Sequence, residues 1–148
     1  GFCAASQAYV RNFPINPNIK QTPGTLCTGA KKKYPEKISV CKRRVNKSKK
    51  RKVIAYYEDQ LGFSIYSYGR HNFKVDHLIP LCIGGSNQIS NLWPQHKSVY
   101  LITDPLEQVI CIKVQRGLIL QADAVDLVLE AKHNLEKAPD IIEMVEAL

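Results

Sequence analysis

The sequence predicts a small α+β domain, with one short β-hairpin set into a mostly helical body. Three observations predict it. Apolar residues recur at helical spacing around 53–61, 106–114 and 122–135. Between the first two stretches, a run of aromatic and β-branched residues is broken by Gly84-Gly85-Ser86-Asn87, a strong turn signal. The chain has 148 residues, which suits one buried core and one domain. We expect a single domain over 1–148: an irregular extension over 1–45, a basic helix and hairpin core over 46–117, and C-terminal helices over 118–148.

In chain order, residues 1–45 show no sustained period and are rich in Pro, Asn, Thr and Gly (NFPINPNIKQTPGTLCTGA). Proline fixes φ and lacks a donor, so turns and extended pieces over the surface are expected. The first convincing helix follows, with Asn46 or Ser48 as N-cap and Val53, Tyr56, Tyr57, Gln60 and Leu61 at helical spacing; Gly62 ends it. Ser64 to Ile83 reads as extended chain around Gly69. A return strand holds Ile89, Leu92 and Trp93, and Pro94 ends it. Asp104-Pro105-Leu106-Glu107 opens the next helix, with Leu106, Val109, Ile110 and Val114 on one face and Gly117 as stop. Another helix runs from about Gln121 to Lys137, and Pro139 starts a short last one.

The charge is uneven. The formal net charge is +8, yet residues 31–52 hold twelve Lys/Arg against one acid, Glu36, while 102–148 hold four basic and nine acidic residues. One end suits a polyanion and the other does not. At the start of the first helix, Lys47, Lys49, Lys50, Arg51 and Lys52 oppose the helix dipole, at a few tenths of a kcal/mol each (roughly). Phosphate contact explains that placement better than helix stability does.

No apolar run approaches the roughly 20 residues needed to span a bilayer. The first residues, GFCAASQAYV, resemble at most the small-residue tail of a cleaved signal sequence. The five cysteines, Cys3, Cys27, Cys41, Cys82 and Cys111, form no CxxC pair, which gives a zinc knuckle no support. Scattered cysteines fit disulfides in an oxidising compartment, so a secreted or periplasmic protein is expected. Cys27–Cys41 and Cys82–Cys111 are the preferred pairs, with Cys3 left over, although five cysteines permit other pairings.

The chemistry gathers in VDHLIPLCIGGSNQISNLWPQ. Asp76 and His77 are neighbours on a strand and point to opposite faces, so they can divide labour. Asp76 offers a hard oxygen ligand for Mg²⁺ or a similar cation. His77 can take a proton near neutral pH. Asn91, across the hairpin, can pin the histidine's strand or ring. An isolated Asp-His dipeptide would be only surface; its setting is what gives it weight.

In DHLIPL, then GGSN, then NLWPQ, at these spacings, the chain resembles the HNH endonucleases of the ββα-metal class, and most of all a small, often exported subgroup. The likeness extends upstream to TPG with Cys27 and CKRRV, and downstream to TDPLE, Gly117 and QADAV, from about Thr22 to Val128. The resemblance implies a ββα-metal core, a hairpin plus a helix. It implies Asp76 as first metal ligand, His77 as general base and Asn91 as the residue ordering the hairpin. One divalent cation is implied, Mg²⁺ first, with Mn²⁺ or Zn²⁺ as alternatives. The second ligand comes from the following helix in that family, where this chain offers Asp104 first, Glu107 next and His96 third. Asp104 has a rival role, because Asp, Pro and Glu at N-cap, N1 and N3 form a capping box without any metal. Lys74 stands where the family often has Glu, which points to a different metal shell or a phosphate contact.

The implied activity is hydrolysis of DNA, with RNA open, at little sequence specificity. Lys47, Lys49, Lys50, Arg51, Lys52 and Arg70 would hold the phosphate backbone, and a monomer is expected. Two other readings remain: a non-catalytic nucleic-acid-binding module built on the basic 42–52 segment, and a disulfide-stapled extracellular protein that binds anionic surfaces. His71 reads as an exposed loop residue and His133 as a surface or satisfied core histidine. Tyr66, Tyr68 and Phe73 could stack on a base, but core packing is favoured.

Overall fold

The computed structural model describes residues 12–148. Cys3 and the segment GFCAASQAYV lie outside the described residues. The elements are β1 (Lys32–Lys33), β2 (Ile38–Ser39), α1 (Lys47–Asp59), β3 (Phe73–His77), β4 (Leu92–His96), α2 (Lys97–Gln115), α3 (Gln121–His133) and α4 (Ala138–Glu146). Among the described residues these make four helices and two antiparallel two-stranded sheets, a small α+β fold as expected.

Helix α1 starts where Asn46 caps it, its side chain accepting from the Lys49 N–H at 2.8 Å. One face buries Val53, Ile54 and Tyr57, while no acid sits in its first turn. The chain then makes two 3-10 turns, Tyr66–Tyr68 and Arg70–Asn72, rather than the extended run expected from Ser64. Gly69, at φ +89°, makes that path possible, since its positive φ disfavours a side chain and joins the two turns.

Strand β3 pairs with β4 in the register Asp76↔Trp93 and His77↔Leu92. Pro94 does not end the return strand; it sits inside it, opposite Val75. A two-stranded sheet has only edge strands, where a missing N–H is tolerated. Helix α2 follows directly and corrects a second expectation. It opens at Lys97, capped by His96, whose Nδ1 accepts from the Ser98 N–H at 3.1 Å. Asp104 therefore stands in the third turn, Pro105 lies in the helix interior, and the capping box does not exist. The helix ends at Gly117 (φ +70°), with Gly117 N–H on the Val114 carbonyl and Leu118 N–H on that of Lys113. Helix α3 stops at His133, short of Lys137, because Asn134 leaves the helical region (φ −138°, ψ 81°).

Two apolar clusters hold these elements. One gathers Val53, Ile54, Tyr57, Leu92 and Trp93 between α1 and the hairpin. The other gathers Ile83, Leu106, Ile110, Val128, Ile141 and Val145 among α2, α3 and α4. The N-terminal segment is irregular yet tied down. Thr22 Oγ1 bonds the Tyr57 hydroxyl at 2.7 Å and the Leu92 carbonyl at 3.1 Å, while Gly24 N–H reaches the Ser90 carbonyl and Cys27 N–H that of Gly84. Disulfides join Cys27 to Cys41 and Cys82 to Cys111, which agrees with the preferred pairs. They suit an oxidising compartment. No helix among the described residues is long and apolar enough to cross a membrane.

Candidate functional site

The connection from β3 to β4 is held from inside by Asn91. Its Oδ1 accepts from the Ile79 N–H at 2.9 Å, and its Nδ2 donates to the carbonyls of Ile79 (3.0 Å) and Ser86 (2.9 Å). The residue is fully buried, so these bonds satisfy groups that water cannot reach. Gly85 packs against this knot; a Cβ there would collide with the Ile79 carbonyl. Asn91 thus orders the loop, and its side-chain hydrogen bonds go to backbone rather than to the His77 ring.

The ring is held by a residue the sequence reading passed over. His77 Nε2 lies 3.0 Å from Asn87 Oδ1. The same Oδ1 accepts from the Arg44 N–H at 3.1 Å, and Asn87 Nδ2 donates to the Lys42 carbonyl at 2.7 Å. Two backbone partners on opposite ends of the amide therefore set which end is oxygen. An amide oxygen only accepts, so Nε2 must carry the ring proton, and Nδ1 keeps the lone pair. Burial pulls the His77 pKa below its ordinary value of 6.5, against an opposing pull from the Asn87 hydrogen bond. Burial thus favours the neutral ring, with its proton on Nε2. In the sequence Asn87 looked like a turn residue, and a His–Asn pair ten positions apart carries no pattern.

Beside His77, Asp76 meets helix α2. Ligand oxygens of Asp76, Asp104 and Glu107 all lie within 4.8 Å of one another. Asp104 and Glu107 reach the same point because three residues bring a helix round to nearly the same face. His96, at the far end of β4 opposite Phe73, is not one of this group; it stacks on Phe13 with ring centroids 4.1 Å apart. Crowding shows in Glu107, whose carboxyl pKa is raised, first by burial and then by the charges of Asp76 and Asp104, although Lys132 pulls it down. Lys74 pairs with Asp104 at 3.3 Å. Three carboxylates of this kind are hard oxygen donors that could hold one divalent cation.

Lys132 is the second residue missed. Its side chain is fully buried, and its Nζ donates to Glu107 Oε1 (2.6 Å) and to the carbonyls of His77 (3.0 Å) and Leu78 (2.8 Å). One ammonium from α3 thereby ties the acid cluster to the backbone under the histidine. A signal was available: Lys132 falls four residues after Val128, on the buried face of an amphipathic helix.

The acids open onto a cleft of about 470 Å³ lined by Arg43, Lys50, Arg70 and Lys74 together with Asp76 and Glu107. The basic residues named from the sequence divide here. Lys50 and Arg70 line this cleft, and Lys47 and Arg51 join them around an adjoining pocket. Lys49 is committed elsewhere, donating to the Asn87 carbonyl at 2.9 Å, and Lys52 lines neither space. His71 is exposed, and His133 is half-buried with its pKa lowered by that burial. Comparison with family models, with curated proteins and with solved structures returned no match.

Proposed function

We propose that the protein is a metal-dependent endonuclease that hydrolyses phosphodiester bonds of DNA, with RNA open, and that its hairpin and α2 act as a ββα-metal core of the HNH type. One observation carries the reading. On adjacent residues of one strand, a neutral imidazole with an assigned tautomer stands next to a three-carboxylate cluster facing a cation-lined cleft. A phosphodiester needs cations around it, and the acids at the centre need a cation of their own.

In this reading His77 Nδ1 accepts a proton from a water whose oxygen attacks phosphorus, and the P–O3′ bond breaks. General-base help of this kind contributes about 10²–10⁴-fold. Asn87 holds the base in the competent tautomer, while Asn91 and Lys132 fix the backbone that carries it. Asp76, with Asp104 and Glu107, would hold the divalent cation, Mg²⁺ first. When bound, it supplies neutralising charge to the phosphate and to the departing oxygen. Arg43, Lys50 and Arg70 grip the backbone of the substrate, which favours little sequence preference. The disulfides support a site of action outside the cytosol, in a secreted or periplasmic protein.

The test is incubation with supercoiled plasmid in EDTA, with Mg²⁺, Mn²⁺ or Zn²⁺ added back. Cleavage should appear only with metal, and His77→Ala should lower its rate by about 10²–10⁴-fold while leaving binding intact. Because burial holds His77 below 6.5, the rate should rise with pH and level off below that value. Cleavage in EDTA, or undiminished cleavage by the variant, would overturn the assignment. Binding without metal-dependent cleavage would instead favour the non-catalytic nucleic-acid module.

A further inference from the structure

We propose that the chain holds one unpaired nucleotide of its substrate against the Tyr66 ring, and so prefers single-stranded or locally unpaired nucleic acid to duplex. The inference rests on the nuclease reading and names the substrate class of that same site. It begins from three aromatic residues, Tyr66, Tyr68 and Phe73, that sequence alone cannot tell apart. The structure separates them. Phe73 is 4% exposed and packs edge-on against Phe13 and His96. Tyr68 lies edge-on to Phe13 at 5.1 Å. Both belong to the packing, whereas Tyr66 is 51% exposed.

That exposure is built rather than loose. Tyr66 opens a 3-10 turn whose preceding residue, Ile65, is fully buried. Its backbone N–H donates to Glu58 Oε2 at 3.2 Å, and its carbonyl accepts from Gly69 N–H at 3.0 Å. Backbone bonds at both ends hold the residue in a defined position. Tyr66 lines a pocket of about 400 Å³ together with Lys47, Lys50, Arg51 and Arg70, and no acid lines that pocket.

An aromatic face among four cations matches the chemistry of a nucleotide: a π surface for the base and charge for the phosphates on either side. Lys50 and Arg70 line both this pocket and the acid-lined cleft. A phosphate held between them would therefore link the nucleotide being cut to the one lying on Tyr66. In a duplex the bases are stacked on each other and present no face to such a ring. Stacking requires a strand that is single or locally opened.

The test reads binding without turnover, using the full chain carrying His77→Ala, in EDTA. The probes are fluorescein-labelled oligothymidylate and oligouridylate and a labelled blunt hairpin duplex, followed by anisotropy. Adding Tyr66→Ala should weaken single-strand binding by about 5- to 150-fold, the equivalent of one stacked base, and shift duplex binding by less than about twofold. Tyr66→Phe, which keeps the ring, should bind like its parent. The proposal is overturned if Tyr66→Ala spares single-strand binding with both probes, weakens single strand and duplex alike, or is matched by Tyr66→Phe. Thermal melting of each variant confirms that the fold is retained. A failed plasmid assay would sink the nuclease reading and leave this measurement standing, so the two failures are distinguishable.

Discussion

Strand β3 ends in two neighbours that belong to different regions. Around His77 the polar groups are closed on one another: Asn91 satisfies three backbone groups, and Asn87 joins the ring to Lys42 and Arg44. Around Asp76 the balance is left open. Three carboxylates converge, with Lys132 and Lys74 as their paired cations and a cleft in front. A region whose hydrogen bonds are closed gains from staying as it is. A region with surplus charge gains from a ligand. That contrast separates the part that holds geometry from the part whose acids could hold a cation.

The largest effect should come from breaking the closed region. Asn91→Ala strands the Ile79 N–H and two buried carbonyls, at a cost of about 3–5 kcal/mol. Asn87→Ala, by contrast, should cost only about 1–2 kcal/mol, since two of its three partners, the Arg44 N–H and the Lys42 carbonyl, are exposed backbone that water can serve. It should nevertheless lower the rate of plasmid cleavage about tenfold by releasing the tautomer. Thermal melts and cleavage rates of the pair check this; equal destabilisation would erase the distinction.

Lys132 joins the two regions and should come next. Lys132→Met leaves Glu107 without its buried partner and two carbonyls without a donor, a loss of about 3 kcal/mol. Lys132→Arg places the charge on a longer, branched head that the three-acceptor pocket is not shaped for, and should restore little. Chemical denaturation measures both, and a Lys132→Met variant as stable as the parent would show the tie to be unimportant.

The open region should give the smallest and most conditional effect. The Glu107 pKa is raised above its ordinary 4.5, so the folded chain binds that proton more tightly than the unfolded chain does. Stability from this source is full below pH 4.5 and is lost as pH rises through the raised value. In EDTA, Asp104→Asn, which removes one of the charges that raise the Glu107 pKa and leaves the buried Glu107–Lys132 pair intact, should therefore melt higher than the parent at pH 8, with the gap closing toward pH 4.5. Added Mg²⁺ should raise the parent's melting temperature by more than the variant's. If the two melt together at pH 8 in EDTA, the cluster carries no surplus charge and the comparison fails.

Much of the fold was legible in local pattern. Asn46, Gly62 and Gly117 bound helices as their chemistry suggests, and α1 buries the face its spacing marks. The errors had physical causes. Asp104-Pro105-Leu106-Glu107 mimics a helix start, yet His96 caps α2 two turns earlier, because a side-chain acceptor followed by Ser98 serves as well as Asp. Ser64–Ile83 read as extended because its aromatic content resembles that of a strand, while the turns around Gly69 depend on one positive φ.

By itself, then, the sequence determined the α+β class, the charge asymmetry and the central Asp76-His77 dipeptide with its turn glycines. These rest on short-range rules of period, capping and backbone freedom. Only the tertiary structure decided which partners complete the site. Asn87 reaches His77 across a loop, Lys132 reaches Glu107 from another helix, and His96 stays away from the acids on the far end of its strand. Such choices depend on distances between residues far apart in the chain, and packing alone sets those distances.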